Sequence, residues 1–364
     1  MRTKDICNTI EEFAPLCLQE DWDNAGLLID NGNAEVTGVL FCLDVTEEIM
    51  KEALTKKCNF ILSHHPLIFS GVKKITGSTY IERCVMSAIK NNIAIYAAHT
   101  NADSVKNGVS GVMCNKLGLE NCTILSPQEN SLLKLVTFVP KQQAGDLRGA
   151  LFEVGAGHIG NYDDCSFNSF GEGTFRGNEE SKPFVGKANI FHTESEVRIE
   201  MILPTYLKAK IESKLLQSHP YEEPAYDFIP LQNARKDVGL GMIGTFETEI
   251  SEEDFIQKVK YTFGAECVRT SPLQHKKIRK VAVCGGSGSF LIETAKIRKA
   301  DAFLTADLKY HDFFKAENQL LLTDIGHFES EQFIKEVFFD LISKKMPTFA
   351  LYFSEKEVNC VHYF

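Results

Sequence analysis

The chain has 364 residues and a formal net charge of −10 at neutral pH. Its length predicts two or three domains, and 44% hydrophobic with 24% charged residues is typical of a soluble globular protein. The acidic balance argues against a nucleic-acid partner, because binding to phosphates needs an excess of lysine and arginine. No apolar stretch has the length of a membrane-spanning helix, so we expect no membrane association.

The first residues and the cysteines predict a cytoplasmic location. The start, MRTKDICNTIEEF, lacks the apolar core and the small-residue cleavage site of a secretory leader. Eleven cysteines occur without any C-x-x-C pair, which argues against both a disulfide framework and a thiolate zinc site. We therefore expect most cysteines to be reduced and buried.

Up to about residue 120, short apolar runs alternate with amphipathic helices. Helices are predicted at residues 5–13, 46–57 and 80–91, and strands in the runs VTGVLFCLD, NFILS and IAIYAA. Nearly continuous apolar strands between amphipathic helices are typical of a buried, mostly parallel sheet. This part of the chain is predicted to be α/β.

The composition changes between about residues 124 and 232. Strands are predicted in LLKLVTFVP, VRIEMILP and AYDFIPL, and helices at residues 144–152 and in TYLKAKIESKLLQ. A glycine-rich stretch that can form a hairpin lies between the two β-α-β units. This pattern predicts an inserted α+β domain of the ferredoxin-like kind. The termini of such an insert should lie close together.

The α/β rhythm returns near the end of the chain. Strands are predicted in KIRKVAVCGG, DAFLTAD, QLLLTDIG and PTFALYF, and helices at residues 289–299, in LKYHDFF and at residues 328–343. We therefore predict an α/β fold with two related α/β/α half-domains at residues 1–123 and 236–364. The inserted domain is predicted at residues 124–235.

Two adjacent histidines, His64 and His65, follow an apolar strand in the run SHHP. Successive side chains of a strand point to opposite faces, but at a strand end the backbone can turn both imidazoles toward one pocket. Two such histidines can serve two neighbouring ions. The alternative is a pair of polar loop residues.

A second cluster, AHTNAD, follows the next apolar strand and contains His99 and Asp103. The carboxylate can bind a hard or borderline cation, and His99 can act as a ligand, an orienting group or a proton carrier. The alternative is a capping role for Asp103 at a helix start.

A third cluster begins at His327, where a strand ends and a helix is predicted. Residues i and i+4 share one helix face, so His327 and Glu331 can converge on one ion while Glu329 points elsewhere. The alternative is a solvated helix start, where the helix dipole stabilises acidic side chains.

All three clusters follow the carboxyl ends of predicted strands, where open α/β sheets place their sites. Several carboxylate oxygens among five ligands suit two ions better than one closed structural zinc, and the absence of cysteine ligands leaves room for water. The residues therefore predict a shared site for two divalent ions, with Zn, Fe, Mn and Co all compatible.

Motifs along nearly the whole chain resemble the NIF-three-like family of dinuclear metal-centre proteins, often labelled GTP cyclohydrolase I type 2 homologs. The resemblance implies His64, His65, Asp103, His327 and Glu331 as ligands, with Glu331 bridging the two ions. It rests on five runs of residues: DWDNAGLL at 21–28, SHHP at 63–66, AHTNAD at 98–103, TADLKYHD at 305–312 and DIGHFESE at 324–331.

The insert resembles the middle domain of the family's longer members, which is similar to the copper-tolerance and nitrogen-regulator proteins. The run HPYEEPAYD at residues 219–227 carries this resemblance. It implies a homohexamer, built as stacked trimers or as a trimer of dimers, that forms a toroid with inward-facing metal sites.

Two further runs have competing interpretations. CGGSGSF, at residues 284–290, follows a strand and could offer backbone N–H groups to an anion, but it lacks a P-loop lysine, and a tight turn explains it as well. In TADLKYHD, Asp307 and His311 stand at i and i+4, and the family resemblance implies that they line the cleft. We assign them an orienting or proton-transfer role, with helix capping by Asp307 as the alternative.

Other motif residues are predicted to be structural. Trp22, Asp23 and Asn24 are interpreted as packing and turn residues. His219 with Glu222 and Glu223 could bind a metal, but the neighbouring prolines and aromatic residues favour a rigid turn at an assembly contact.

The leading functional hypothesis is a dinuclear metal-dependent hydrolase, similar to GTP cyclohydrolase type 2. Two divalent ions would activate water for attack on a C–N or phosphoester-type bond of a small molecule such as a nucleotide, with His99 or His311 moving protons. The alternative is a non-catalytic metal-binding hexamer that acts as a scaffold, a regulator or a metal-trafficking protein.

Overall fold

The computed structural model describes residues 1–364, and the chain forms two units. One unit contains Met1–Ser126 and Val238–Phe364, and the other contains Pro127–Asp237. The terminal stretches of the chain therefore share a single unit, and the segment between them folds separately. No helix combines the length and the apolar character needed to span a lipid bilayer.

The first stretch alternates short strands with helices, as its pattern predicts. Strands β2, β3 and β4 are each four residues long and completely buried, and threonine hydroxyls cap the helices α2 and α3. The elements are α1 (Thr3–Phe13), β1 (Gly26–Ile29), β2 (Val39–Cys42), α2 (Glu47–Thr55), β3 (Phe60–Ser63), α3 (Tyr80–Lys90), β4 (Ala94–Ala97), α4 (Thr100–Asp103), α5 (Val109–Leu117) and β5 (Glu120–Pro127).

The separate unit has the element order β-α-β-β-α-β. Its elements are β6 (Leu132–Pro140), α6 (Ala144–Phe152), β7 (Phe167–Phe175), β8 (His192–Pro204), α7 (Lys208–Ser218) and β9 (Tyr226–Leu231). The sheet order is β7-β8-β6-β9 with antiparallel neighbours, and both helices contribute to one core with the inner face of the sheet. Part of the glycine-rich stretch forms β7, which pairs with β8 as a hairpin.

The last stretch returns to the first unit. Its elements are β10 (Gly239–Ser251), α8 (Glu252–Phe263), β11 (Arg269–Thr270), β12 (Lys277–Ser287), α9 (Ile292–Ile297), β13 (Ala302–Ala306), β14 (Leu321–Asp324), α10 (His327–Glu331), α11 (Ile334–Lys345) and β15 (Leu351–Phe353). The single helix predicted at residues 328–343 is in fact two helices, and the helix predicted in LKYHDFF is a 3-10 helix at Tyr310–Ala316.

Two sheets of the first unit exchange edge strands. One has the order β1-β4-β3-β2-β15 and the other β11-β14-β13-β12-β10-β5. The C-terminal strand β15 thus pairs with β2 near the start of the chain, and β5 joins the sheet made by the last stretch. The strands β2, β3 and β4 run parallel, as do β12, β13 and β14, so each set aligns its carboxyl ends at one sheet edge.

Both sheets contribute to one apolar core, in which Phe338 of α11 is completely buried. Phe338→Ala is expected to lower the free energy of unfolding by about 3–5 kcal/mol, because the cavity and the lost burial add. Denaturant titration followed by circular dichroism measures the change. Tyr261→Ala, at an exposed position of α8, should stay within about 0.5 kcal/mol of the parent, and an equal loss in both variants would contradict the assignment.

Candidate metal centre

Three sheet-edge segments place five predicted ligands around one point. His64 and His65 follow β3, Asp103 ends the short helix after β4, and His327 and Glu331 lie one turn apart on α10 after β14. The i and i+4 spacing on α10 places His327 Nε2 3.0 Å from Glu331 Oε2. Parallel strands thus bring residues from both ends of the chain to one cluster.

Two overlapping groups of ligand atoms share Glu331, and a third group joins His99 to His64 and His65. In one group, His64 Nε2 lies 3.6 Å from Asp103 Oδ1 and 3.7 Å from Glu331 Oε2. In the other, His65 Nε2 lies 2.8 Å from Glu331 Oε2 and 3.3 Å from His327 Nε2. Within each group the donor atoms lie within 4.8 Å of one another, a spacing that a bound cation can span.

The second ring nitrogen of each histidine in the cluster is held by an acceptor. His64 Nδ1 lies 2.7 Å from the carbonyl oxygen of Ala98, His65 Nδ1 lies 2.9 Å from Asp44 Oδ1, and His327 Nδ1 lies 2.7 Å from Asp307 Oδ2. An Nδ1–H that donates to such an acceptor leaves the lone pair on Nε2, where a metal ion binds. All three imidazoles therefore present their Nε2 atoms to the same space.

Two buried atoms of this cluster have no hydrogen-bond partner. They are His64 Nε2 and Asp103 Oδ1, and the separation between them is too long for a hydrogen bond. A buried polar atom without a partner costs free energy, so native structures rarely leave one in this state. A cation between the two atoms satisfies both, and the donor set therefore fits a divalent metal ion.

The pKa values of the cluster show how strongly its charges interact. Burial alone would lower the pKa of His65 and His327, but hydrogen bonds to Asp44, Asp307 and Glu331 raise them to about 10 and about 11. Burial and the charge of Glu331 raise the pKa of Asp103 well above its usual range. The neighbouring histidines outweigh burial at Glu331 and lower its pKa well below the usual range. In the metal-free cluster the protons therefore lie on His65, His327 and Asp103, and metal binding must displace them.

The glycine-rich turn after β12 is built against Glu331. A Cβ on Gly286 would lie 2.3 Å from Glu331 Oε1, and the residue has a positive φ of 58°. The N–H of Gly286 donates to Ser330 Oγ, and its carbonyl accepts from the Thr305 hydroxyl. These contacts support a tight turn that positions Glu331, and they occupy the Gly286 N–H that an anion would need.

The three residues predicted to move protons have different positions. His99 has a ring nitrogen within 4.8 Å of the ligand atoms of His64 and His65, and its ring centroid lies 5.3 Å from that of His64. Asp307 has a φ of 55° and binds His327 instead of capping a helix. His311 contacts the rings of Tyr310 and Phe314. The helix that contains His311 begins only at Tyr310, so His311 does not lie one helical turn after Asp307.

Two acidic residues that orient histidines of the site were not predicted from the sequence. Asp44 holds His65, and Asp23, which was interpreted as a turn residue, holds His99 with Nδ1 and Oδ1 2.7 Å apart. Hydrogen bonds from His99 and Thr100 outweigh the effect of burial on Asp23 and lower its pKa to about 2. Asp44 follows the carboxyl end of β2, so the strand-end rule used for the ligands would have found it.

Asp307→Ala is expected to weaken metal binding by roughly 10- to 100-fold, because the His327 ring loses the acceptor that fixes its orientation. Isothermal titration calorimetry of metal-stripped protein measures the affinity. Asp312→Ala is the control, since that carboxylate binds Lys309 and Lys315 instead of a histidine. Equal affinities for Asp307→Ala and the parent would show that Asp307 does not orient His327.

The motif around His219 does not form a second metal cluster. His219 is buried, its Nε2 lies 2.9 Å from the carbonyl oxygen of Phe138, and its Nδ1 accepts from the N–H of Tyr221. Both ring nitrogens are therefore engaged, in agreement with a rigid turn. A cavity of about 1070 Å³ lies beside this turn, with Glu222 and Glu223 in its lining.

The fold and the site together define an α/β protein with a partly buried His/carboxylate cluster suited to metal ions. The chain belongs to the family described as Duf34/NIF3 (NGG1p interacting factor 3), whose model matches residues 1–359. The family expected from the sequence motifs is thereby confirmed.

Relatives and solved structures agree over nearly the whole chain. A Halalkalibacterium halodurans protein named "GTP cyclohydrolase 1 type 2 homolog" is 40% identical over 324 residues, covering 88% of this chain and 87% of the relative. The crystal structure of a Bacillus cereus protein related to NIF3 is 36% identical with a TM-score of 0.85, covering 100% and 99% of the two chains. A Staphylococcus aureus structure gives 31% identity and a TM-score of 0.80, with the same coverage. The predicted mixed α/β fold is confirmed.

Proposed function

We propose that this protein is a metal-dependent hydrolase with two divalent ions in the His/carboxylate cluster. The observation that carries the proposal is the pair of overlapping donor groups that share Glu331. His64 and Asp103 would hold one ion, His65 and His327 the other, and Glu331 would bridge them. All donors are nitrogen or oxygen, which suits Zn, Fe, Mn or Co.

The chemistry divides between the ions and the residues around them. Bound divalent ions lower the pKa of water toward neutrality and polarise the bond to be broken. His99 can take up or release the proton, because Asp23 fixes its Nδ1 and leaves Nε2 free near His64 and His65. Asp44 and Asp307 would keep the ligand imidazoles in the required tautomer.

The relatives' names support a substrate class for this proposal. Proteins 40% and 36% identical to this chain are named "GTP cyclohydrolase 1 type 2 homolog". Hydrolysis of a C–N or phosphoester bond in a small molecule fits both those names and a water activated by two ions.

The second unit and the assembly belong to the same proposal. We assign the β-α-β-β-α-β unit to the ferredoxin-like class, since its sheet order and antiparallel pairing are those of that class. Its strand β7 lies at a sheet edge and exposes Phe167 and Phe170, which favours pairing with another copy. We propose a homohexameric toroid in the cytoplasm, and light scattering of the purified protein measures the subunit number.

The test of catalysis is a panel of nucleotides, phosphodiesters and amides, each assayed with Mn, Fe, Co or Zn and without metal. We expect turnover that needs metal and that Asp103→Ala abolishes. Lys90→Ala, which changes an exposed helix end, is the control and should retain full activity. Turnover that is equal without metal, or unchanged in Asp103→Ala, would overturn the proposal.

A non-catalytic role is the second candidate. The cavity of about 1070 Å³ in the second unit favours it, because a ligand bound there would make that unit a regulatory module. Stoichiometric metal without turnover on any member of the panel would select this role.

A further inference from the structure

An exposed pair of aromatic rings lies next to the metal cluster. Trp22 is 58% exposed and Phe69 is 50% exposed, and their ring centroids are 5.8 Å apart. The interpretation of Trp22 as a packing residue is therefore wrong for its ring, most of which faces solvent. Large aromatic residues so exposed at a candidate active site need an explanation other than core packing.

Hydrogen bonds hold the segment that carries Trp22. Asp23 accepts from the N–H and the hydroxyl of Thr100, and Asn24 Nδ2 donates to the carbonyl oxygen of Ile68, directly before Phe69. Both rings are thus attached to fixed backbone. An aromatic surface fixed in advance binds a flat ligand at a small cost in conformational entropy.

A short chain of ring contacts connects the pair to the predicted ligands. The His99 ring lies with its centroid 6.0 Å from Trp22 and 6.5 Å from Phe69. The same ring lies 5.3 Å from His64 and 5.5 Å from His65. The His99 ring therefore lies between the aromatic pair and the predicted ligands. A molecule that rests on the pair needs to extend past this one ring to reach the metal cluster.

Two lysines on the same loop complement a negative charge. Lys73 and Lys74 follow Phe69 by four and five residues, are exposed, and form no ion pair within the chain. Exposed aromatic rings beside a site for divalent ions, with unpaired lysines a few residues further along the same loop, are complementary to a flat ring joined to phosphates.

We propose that Trp22 and Phe69 are a stacking platform for the base of a nucleoside triphosphate, which presents the nucleotide to the metal cluster. This inference rests on the proposed function only for the fate of the bound nucleotide, since binding itself needs no turnover. Stacking tolerates different bases because every base has a flat π face. The platform would therefore favour nucleotides over phosphodiesters or amides that lack an aromatic ring.

Fluorescence tests the platform directly, because Trp22 is the only tryptophan of the chain. GTP and inorganic triphosphate are titrated into metal-free and metal-loaded protein, with excitation at the red edge of the indole band where guanine does not absorb. We expect saturable quenching by GTP and none by triphosphate. Phe69→Ala should weaken the apparent affinity roughly 5- to 150-fold, which corresponds to the loss of one stacked base contact.

Two control variants separate stacking from general damage to the loop. Phe69→Tyr keeps an aromatic ring and should retain the affinity, and Ile75→Ala removes another exposed apolar side chain of the same loop and should leave it unchanged. Quenching without hydrolysis would support the platform while it counts against the proposed hydrolase. Hydrolysis without base-dependent quenching would overturn the platform alone.

A different occupant of the platform gives a different signal. If a second copy of the chain covers Trp22, its emission shifts to the blue as protein concentration rises, and GTP has no effect. Equal quenching by GTP and triphosphate would mean that the phosphates alone are recognised. Either result overturns the proposal.

Discussion

Glu331→Ala is expected to remove both metal ions, whereas His327→Ala and Asp103→Ala should each remove about one. Glu331 belongs to both donor groups that contain a carboxylate, and His327 and Asp103 belong to one of these groups each. Elemental analysis of protein purified without chelator measures the ions per chain. The affinity of a site that loses a carboxylate ligand should fall beyond the roughly 10- to 100-fold expected for an orienting residue.

Two further variants make this result interpretable. Glu331→Gln keeps the shape of the side chain, so it tests the charge of the ligand if Glu331→Ala folds poorly. Glu329→Gln changes a buried acid on the same helix, whose carboxylate accepts from Asn359 instead of facing the cluster, and it should retain full metal content. A Glu331→Gln protein with unchanged stoichiometry would rule out the shared bridge.

Gly286→Ala is expected to reduce metal affinity at least about 10-fold although it changes no ligand. The added Cβ would lie 2.3 Å from Glu331 Oε1, so the carboxylate must move. Because Gly286 has a positive φ, alanine there should also lower the free energy of unfolding by about 1–2 kcal/mol. Calorimetric metal titration and thermal unfolding of the metal-free protein measure the two effects separately.

Gly264→Ala is the matched control for this substitution. Gly264 ends α8 with a φ of 66°, and a Cβ there meets no atom within 4 Å. It should therefore suffer the same backbone strain and keep the parent metal affinity. Equal metal affinities for the two variants would show that the turn does not constrain Glu331.

Local periodicity was sufficient to predict part of the candidate site. The helical spacing of His327 and Glu331 predicts that they converge, and the structure places their ligand atoms 3.0 Å apart. The strand-end position of His64 and His65 likewise predicts that both rings can reach one pocket, and the distances of both to Glu331 agree. These relations depend on a few consecutive residues, which is why a single sequence reveals them.

Contacts between distant segments could not be predicted in the same way. Asp23 lies 76 residues before His99, and no local pattern indicates their hydrogen bond. The pairing of β15 with β2 joins opposite ends of the chain, and the predicted boundaries at residues 123 and 236 do not anticipate it. The exposure of Trp22 depends on what the fold leaves uncovered, which residue type alone does not reveal.

The exchange of edge strands has a consequence for how the site forms during synthesis. His65 and Glu331 are separated by 266 positions, and β15, which completes the first sheet, is made later still. A ribosome-bound chain that has released only its first stretch displays His64, His65 and Asp103 with no carboxylate from α10 to join them. Chain segments with such distant partners assemble late. A product truncated or stalled before α10 would therefore carry an incomplete set of donors, and metal retention would report that translation had passed Glu331.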